Sequence, residues 1–146
     1  MRVLLHLPSA AAATPKLDSL IMNTPAVVRG FLDAIERRDV DGVLACFAED
    51  AVWQNVPHPP ATGHDGLRAM LRPILERSDE VRWDVVTEAY DDRRAWLERV
   101  DRFWIDGVEH AVRCNGVVEI DPGSGLITEV RDYVDLGEWR ARLPPL

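Results

Sequence analysis

The run Leu97-Glu98-Arg99-Val100-Asp101-Arg102-Phe103 decides both the fold and the place of the chemistry. It lies in a longer apolar, β-branched and aromatic stretch, Ala95 to Ile105, which ends in an Asp106-Gly107 turn signal. Successive side chains of a strand point to opposite faces. Leu97, Arg99, Asp101 and Phe103 therefore share one face, and Trp96, Glu98, Val100, Arg102 and Trp104 share the other. With Leu97 and Phe103 on the core side, a cation and a carboxylate stand two residues apart inside an apolar surface. A buried charge is unfavourable unless paired and hydrogen-bonded, so Arg99 calls for a second anion. Val130-Arg131-Asp132-Tyr133-Val134 offers one: Val130, Asp132 and Val134 share a face, and Arg131 and Tyr133 take the other. One arginine bridging two inward carboxylates, Asp101 and Asp132, is the expected site.

Working outward, the strand pattern continues on both sides. Val81, Trp83 and Val85 alternate with Arg82 and Asp84, and Val112, Cys114, Gly116 and Val118 alternate with Arg113 and Asn115. Asp121-Pro122-Gly123-Ser124-Gly125 is a strong turn. Upstream the period is helical. Thr24-Pro25 reads as a hydroxyl N-cap followed by proline at the first helical position. Val28, Phe31, Leu32 and Ile35 then line one side up to Arg37-Arg38. Asp39 caps a shorter helix through Val43, Leu44 and Phe47, which Asp50 ends. A strand covers Ala51 to Val56, with Trp53 and Asn55 on one face, and Pro57, Pro59 and Pro60 stop regular structure. Asp65 opens a third helix with Leu67, Met70, Leu71, Ile74 and Leu75 on one side, which Pro73 should kink or break. Leu136, Trp139 and Leu143 predict a closing helix ended by Pro144-Pro145. Helices followed by a meandering sheet make the α+β class. The expected architecture is a curved, mostly antiparallel sheet forming a cone, with the N-terminal helices and the C-terminal helix over a pocket.

The 146 residues are read as one domain, 24–146, behind a leader at 1–23. The start, Met1 to Leu7 followed by Ala10 to Ala13, has an apolar stretch too short for a signal peptide, bounded by His6 and Pro8. A disordered leader, or a true start at Met22, is the expectation. The formal net charge of −8 argues against nucleic acid or an anionic membrane as partner. No apolar run approaches the length needed to cross a bilayer. Cys46 and Cys114 give neither a disulfide framework nor a metal-ligand spacing and are read as reduced, in a cytoplasmic protein. His58, His64 and His110 lack metal-ligand spacing and receive no role. No metal is expected.

Four segments occur in order between about Pro25 and Trp139. They are Phe47-Ala48-Glu49-Asp50, Gln54-Asn55-Val56-Pro57 with Pro59-Pro60, Glu98-Arg99-Val100-Asp101, and Arg131-Asp132-Tyr133-Val134-Asp135-Leu136. Together they resemble the limonene-1,2-epoxide hydrolase family, within the nuclear transport factor 2-like fold. The resemblance implies a cofactor-free epoxide hydrolase that works in one step, without a covalent ester. Asp132 would be the general base that takes a proton from water, Asp101 the general acid that protonates the epoxide oxygen, and Arg99 the bridge. Asn55 would help hold the water. The family places a tyrosine where this chain has Trp53, and an indole N–H can donate to that water but cannot accept from it. A homodimer formed through the sheet is also implied, and bulky Trp96, Val100 and Trp104 on the second face fit such a covering.

The chemistry also reads from the residues themselves. Epoxide opening needs a nucleophile on carbon, opposite the departing oxygen, and a proton for that oxygen. Two carboxyl groups do both if one is ionised and the other protonated. One guanidinium neutralises one carboxylate, and in an apolar pocket a retained proton on the second is cheaper than a buried net negative charge. Such a pair titrates as a unit. Leu32, Ile35, Ile74, Trp83, Phe103, Val112, Cys114, Val134 and Trp139 are the inward residues expected to wall a pocket for a hydrophobic, cyclic or terpenoid epoxide. Singly, each reads as core.

Other readings stay open. Arg99, Asp101 and Asp132 also suit a structural ion-pair network. An enzyme of the ketosteroid isomerase or polyketide cyclase type would need a base and a tyrosine donor, and Tyr133 faces away from Asp132 while Tyr90 is the other tyrosine. A non-catalytic module holding an apolar ligand is the third. No serine sits in a nucleophile elbow and no glycine-rich phosphate loop occurs.

Overall fold

The computed structural model describes residues 25–135 together with 137, 138 and 141. The leader at 1–23, Thr24, and most of the closing helix expected over Leu136, Trp139 and Leu143 lie outside the described residues. Helix α1 spans Ala26–Glu36, with Pro25 at the cap position rather than inside the first turn. Its apolar stripe of Val28, Phe31, Leu32 and Ile35 is buried as the spacing predicts. Helix α2 spans Val40–Leu44, and the Asp39 side chain caps it by accepting from the Gly42 N–H.

Phe47 does not extend α2, although it keeps helical spacing from Val43. It opens strand β1, Phe47–Val56, because the backbone here has a better partner: the Ile127 N–H donates to the Cys46 carbonyl at 2.9 Å, and Phe47 pairs with Ile127. Among the prolines a two-residue strand β2, Ala61–Thr62, pairs with β1 at Val52 and Trp53. Helix α3, Gly63–Arg77, runs unbroken through Pro73. The expected break does not occur because Pro73 and Ala69, whose carbonyl loses its donor, both face solvent and water can take the vacant place.

The remaining strands are β3 (Glu80–Tyr90), β4 (Arg94–Ile105), β5 (Val108–Ile120) and β6 (Ile127–Val134). On β4 burial alternates residue by residue, with Leu97, Arg99, Asp101 and Phe103 buried together. Asp106 and Gly107 make the tight hairpin to β5, both with positive φ (53° and 75°). The sheet runs β2-β1-β6-β5-β4-β3. It is mixed rather than a plain antiparallel meander, since β6 inserts beside β1 in parallel. It also stays open and only weakly curled, in place of the expected cone. The pocket arises instead because the helices cover one face, α1 against β3 and α3 against β1 and β2. Among the described residues no helix is long and apolar enough to cross a membrane.

Candidate active site

The β4 alternation delivers Arg99 and Asp101 to the helix-covered face, and the β6 alternation delivers Asp132. Arg99 is 1% exposed, Asp101 4% and Asp132 3%. The arginine fork meets Asp101 twice, Nε to Oδ1 at 2.7 Å and Nη2 to Oδ2 at 3.2 Å, and Nη2 also donates to Asp132 Oδ2 at 2.8 Å. Its plane lies over the Trp83 ring, 4.3 Å from guanidinium carbon to ring centroid. Both acids turn inward and both touch the one cation.

Trp53 is not free to hold water. Its indole N–H donates to Asp132 Oδ2 at 3.1 Å. The ring is fixed by stacking on Phe47 (centroids 5.8 Å apart) and by the edge of Phe31 (5.4 Å). Asp132 Oδ2 thus receives two donors, while Oδ1 accepts no hydrogen bond among the described residues. Asn55 stands beside Asp132 in the parallel β1–β6 pairing and lines the same cavity.

The electrostatics of the cluster raise one of its acids. Burial pushes the Asp101 carboxyl up to about 6, against the pull of the Arg99 charge and its hydrogen bonds, and the Asp132 charge adds to the rise. Burial works against the charge on Arg99, yet the two carboxylates outweigh it and hold the guanidinium well above its ordinary pKa. Burial likewise pushes the Cys114 thiol far up, so it stays neutral.

A cavity of about 190 Å³ opens at this cluster. Ile35, Ile74, Trp83, Phe103 and Val134 line it as expected, with Trp53, Asn55, Asp101 and Asp132 among the other lining residues. Leu32, Val112 and Cys114 do not. Leu32 packs into the core around Phe31. Val112 and Cys114 lie opposite Asp101 and Arg99 across β4–β5, so these inward residues of β5 meet the ion pair before they reach the cavity. Trp139 lies outside the described residues. Met70, Leu71 and Leu75 of α3 are wall residues that sequence reasoning left out of the pocket, although their helical spacing with Ile74 carried the signal. His58, exposed at the mouth, had no such signal. Tyr133 is 49% exposed and, like Tyr90, is not on the cavity wall. Among the described residues no cluster of three or more His, Cys, Asp or Glu could hold a metal ion.

A sequence profile of the SnoaL-like domain matches residues 28–130. The chain belongs to the SnoaL-like domain family. Among solved structures, this SnoaL-like chain is similar to an LEH-like epoxide hydrolase of M. tuberculosis, at 28% identity over 78% of this chain and 84% of that one, with a TM-score of 0.68. A protein from Xanthomonas campestris pv. campestris described as a putative polyketide cyclase shares 22% identity over 80% of this chain and 93% of that one, TM-score 0.68. The epoxide hydrolase/cyclase-like enzyme SalBIII of pyran ring formation in salinomycin shares 15% over 77% and 91%, TM-score 0.68. The last two show a common fold.

Proposed function

We propose that this SnoaL-like protein is an epoxide hydrolase that converts a hydrophobic epoxide to a vicinal diol in one step. The observation that carries the reading is one buried guanidinium bound by two carboxylates at the wall of an apolar cavity, with the Asp101 proton retained to about pH 6. Asp132 takes a proton from a water held with the help of Asn55, and the water oxygen forms a bond to an epoxide carbon. The opposite C–O bond breaks as Asp101 gives its proton to the departing oxygen. Arg99 keeps the paired acids in register throughout. Each proton transfer supplies roughly 10²–10⁴-fold, and positioning in the cavity supplies most of the rest. The mechanism draws only on water and these side chains, without a cofactor. The 28%-identical LEH-like epoxide hydrolase supports the same reading.

Diol formation from a panel of apolar epoxides tests it. Wild type turns over; Asp101→Asn and Asp132→Asn stay folded and lose activity. Equal turnover in all three proteins rejects the assignment. In ¹⁸O water under single turnover, label enters the diol at once and never the protein. We further propose that the face opposite the helices, where Trp96 is 39% exposed and Arg94 stacks on it, pairs two copies of the chain. A monomer in sedimentation at micromolar concentration would exclude that pairing.

A further inference from the structure

Arg99 and Asp132 are not on adjacent strands: β5 lies between β4 and β6. In register, Arg99 stands opposite Cys114, and Asp132 stands opposite Gly116. The guanidinium therefore reaches Asp132 by crossing the inner face of β5 diagonally, and Gly116 is the residue under the crossing. A Cβ at 116 would overlap Arg99 Nη1, come within 2.8 Å of Asp132 Oδ1 and lie 3.4 Å from Arg99 Cζ. The Gly116 backbone does not call for glycine, since positive φ occurs at Gly63, Gly107 and Gly125 and not here. A glycine inside a strand gives up packing and backbone order, and it often marks a close approach. Here the approaching group is the cation itself.

We infer that Gly116 is a positioning residue: its missing side chain is the slot through which Arg99 spans from Asp101 to Asp132. Arginine ends are ordinarily flexible, but this one has no free direction of retreat. Asp101 grips it twice, Trp83 covers its face, and it is almost wholly buried. A methyl group at 116 moves the fork on the order of 1 Å, enough to lower turnover about 100-fold. The catalytic meaning of the slot rests on the proposed epoxide reaction; the placement of Arg99 does not.

The test compares wild type, Gly116→Ala, Arg99→Lys and the double variant. Turnover is measured on the epoxide panel, and ¹³C NMR of the Asp101 carboxyl group follows its titration in the folded proteins. Gly116→Ala is expected to lower kcat about 100-fold with KM little changed. It also shifts the Asp101 titration upward, because the cation that opposes its rise is displaced. A lysine stem ends near the Cζ position, 3.4 Å from the new methyl, which removes the overlap with Nη1 and leaves only the approach to Asp132 Oδ1. Adding Gly116→Ala to Arg99→Lys therefore lowers kcat far less than the roughly 100-fold it costs wild type. A wild-type titration in Gly116→Ala, or losses that multiply in the double variant, overturns the inference. If Gly116→Ala alone fails to fold, recovery of folding in the double variant supports the slot, and failure of both overturns it. An absence of epoxide turnover in wild type removes the proposed function only, since the titration still decides the role of Gly116.

Discussion

Replacing Asp101 by asparagine isolates the energy stored in its buried carboxyl. The folded pKa of about 6 lies above the ordinary 3.8 that the unfolded chain recovers. Between these values the folded protein keeps a proton that the unfolded chain has lost, so stability falls as pH rises through the window from about 4 to about 6. The full penalty, roughly two pKa units at 1.36 kcal/mol each, is about 3 kcal/mol at neutral pH. Asparagine has nearly the same shape and no proton to lose, so the variant escapes that penalty. Its altered bonding to Arg99 adds a constant at every pH. Asp84, Glu119 and Asp121, whose carboxyls are held low, titrate in both proteins and cancel. The measurement is denaturant unfolding of both proteins from pH 4 to 8 at one protein concentration. The stability difference, variant minus wild type, should grow by about 2.5 kcal/mol from pH 4 to pH 7.5, the first part of the penalty being present already at pH 4. A flat difference, or one that shrinks with pH, refutes the buried-acid account whatever the offset.

Two further outcomes follow from the same geometry. Trp53→Phe keeps the aromatic packing and deletes the donor to Asp132 Oδ2, a bond to a charged acceptor of about 1.5–3 kcal/mol. The denaturant midpoint at pH 7 should fall accordingly with an unchanged slope, and an unmoved midpoint would show that the indole bond contributes nothing. In epoxide hydrolysis, kcat/KM should decline as pH rises above about 6, because the proton donor is lost. A rise through that window would remove Asp101 from the role of acid.

The candidate site was largely legible because the segments 97–103 and 130–134 keep a period of two. Leu97, Arg99, Asp101 and Phe103 come out on one face, and so do Val130, Asp132 and Val134; only a bridging contact between the strands had to be supposed. What sequence could not supply was pairing. The parallel seat of β6 beside β1 is a tertiary fact, and it pulled Phe47 out of its helical spacing. Pro73 misled for a local reason, since its effect on a helix depends on whether the freed carbonyl faces water. Wall membership failed at Val112 and Cys114 because periodicity reports the side of the sheet and not what lies in front of it. The same limit hid Gly116, an inward glycine whose meaning depends on a side chain two strands of hydrogen bonds away from its own target.

The strand order has a further consequence, for the sequence of events in folding. In the sheet, β6 is the seam that joins β2-β1 to β5-β4-β3. Trp53 and Asn55 belong to the early half, Arg99 and Asp101 to the later meander, and Asp132 to the seam. Contacts between Trp53 and Asp132 span 79 positions of chain, and such distant closures are slow to form. A nascent molecule with both halves built but the seam vacant would hold Arg99 and Asp101, yet lack Asp132, the base of the proposed reaction. In the proposed reaction, competence therefore waits on the seating of β6 between the two halves of the sheet.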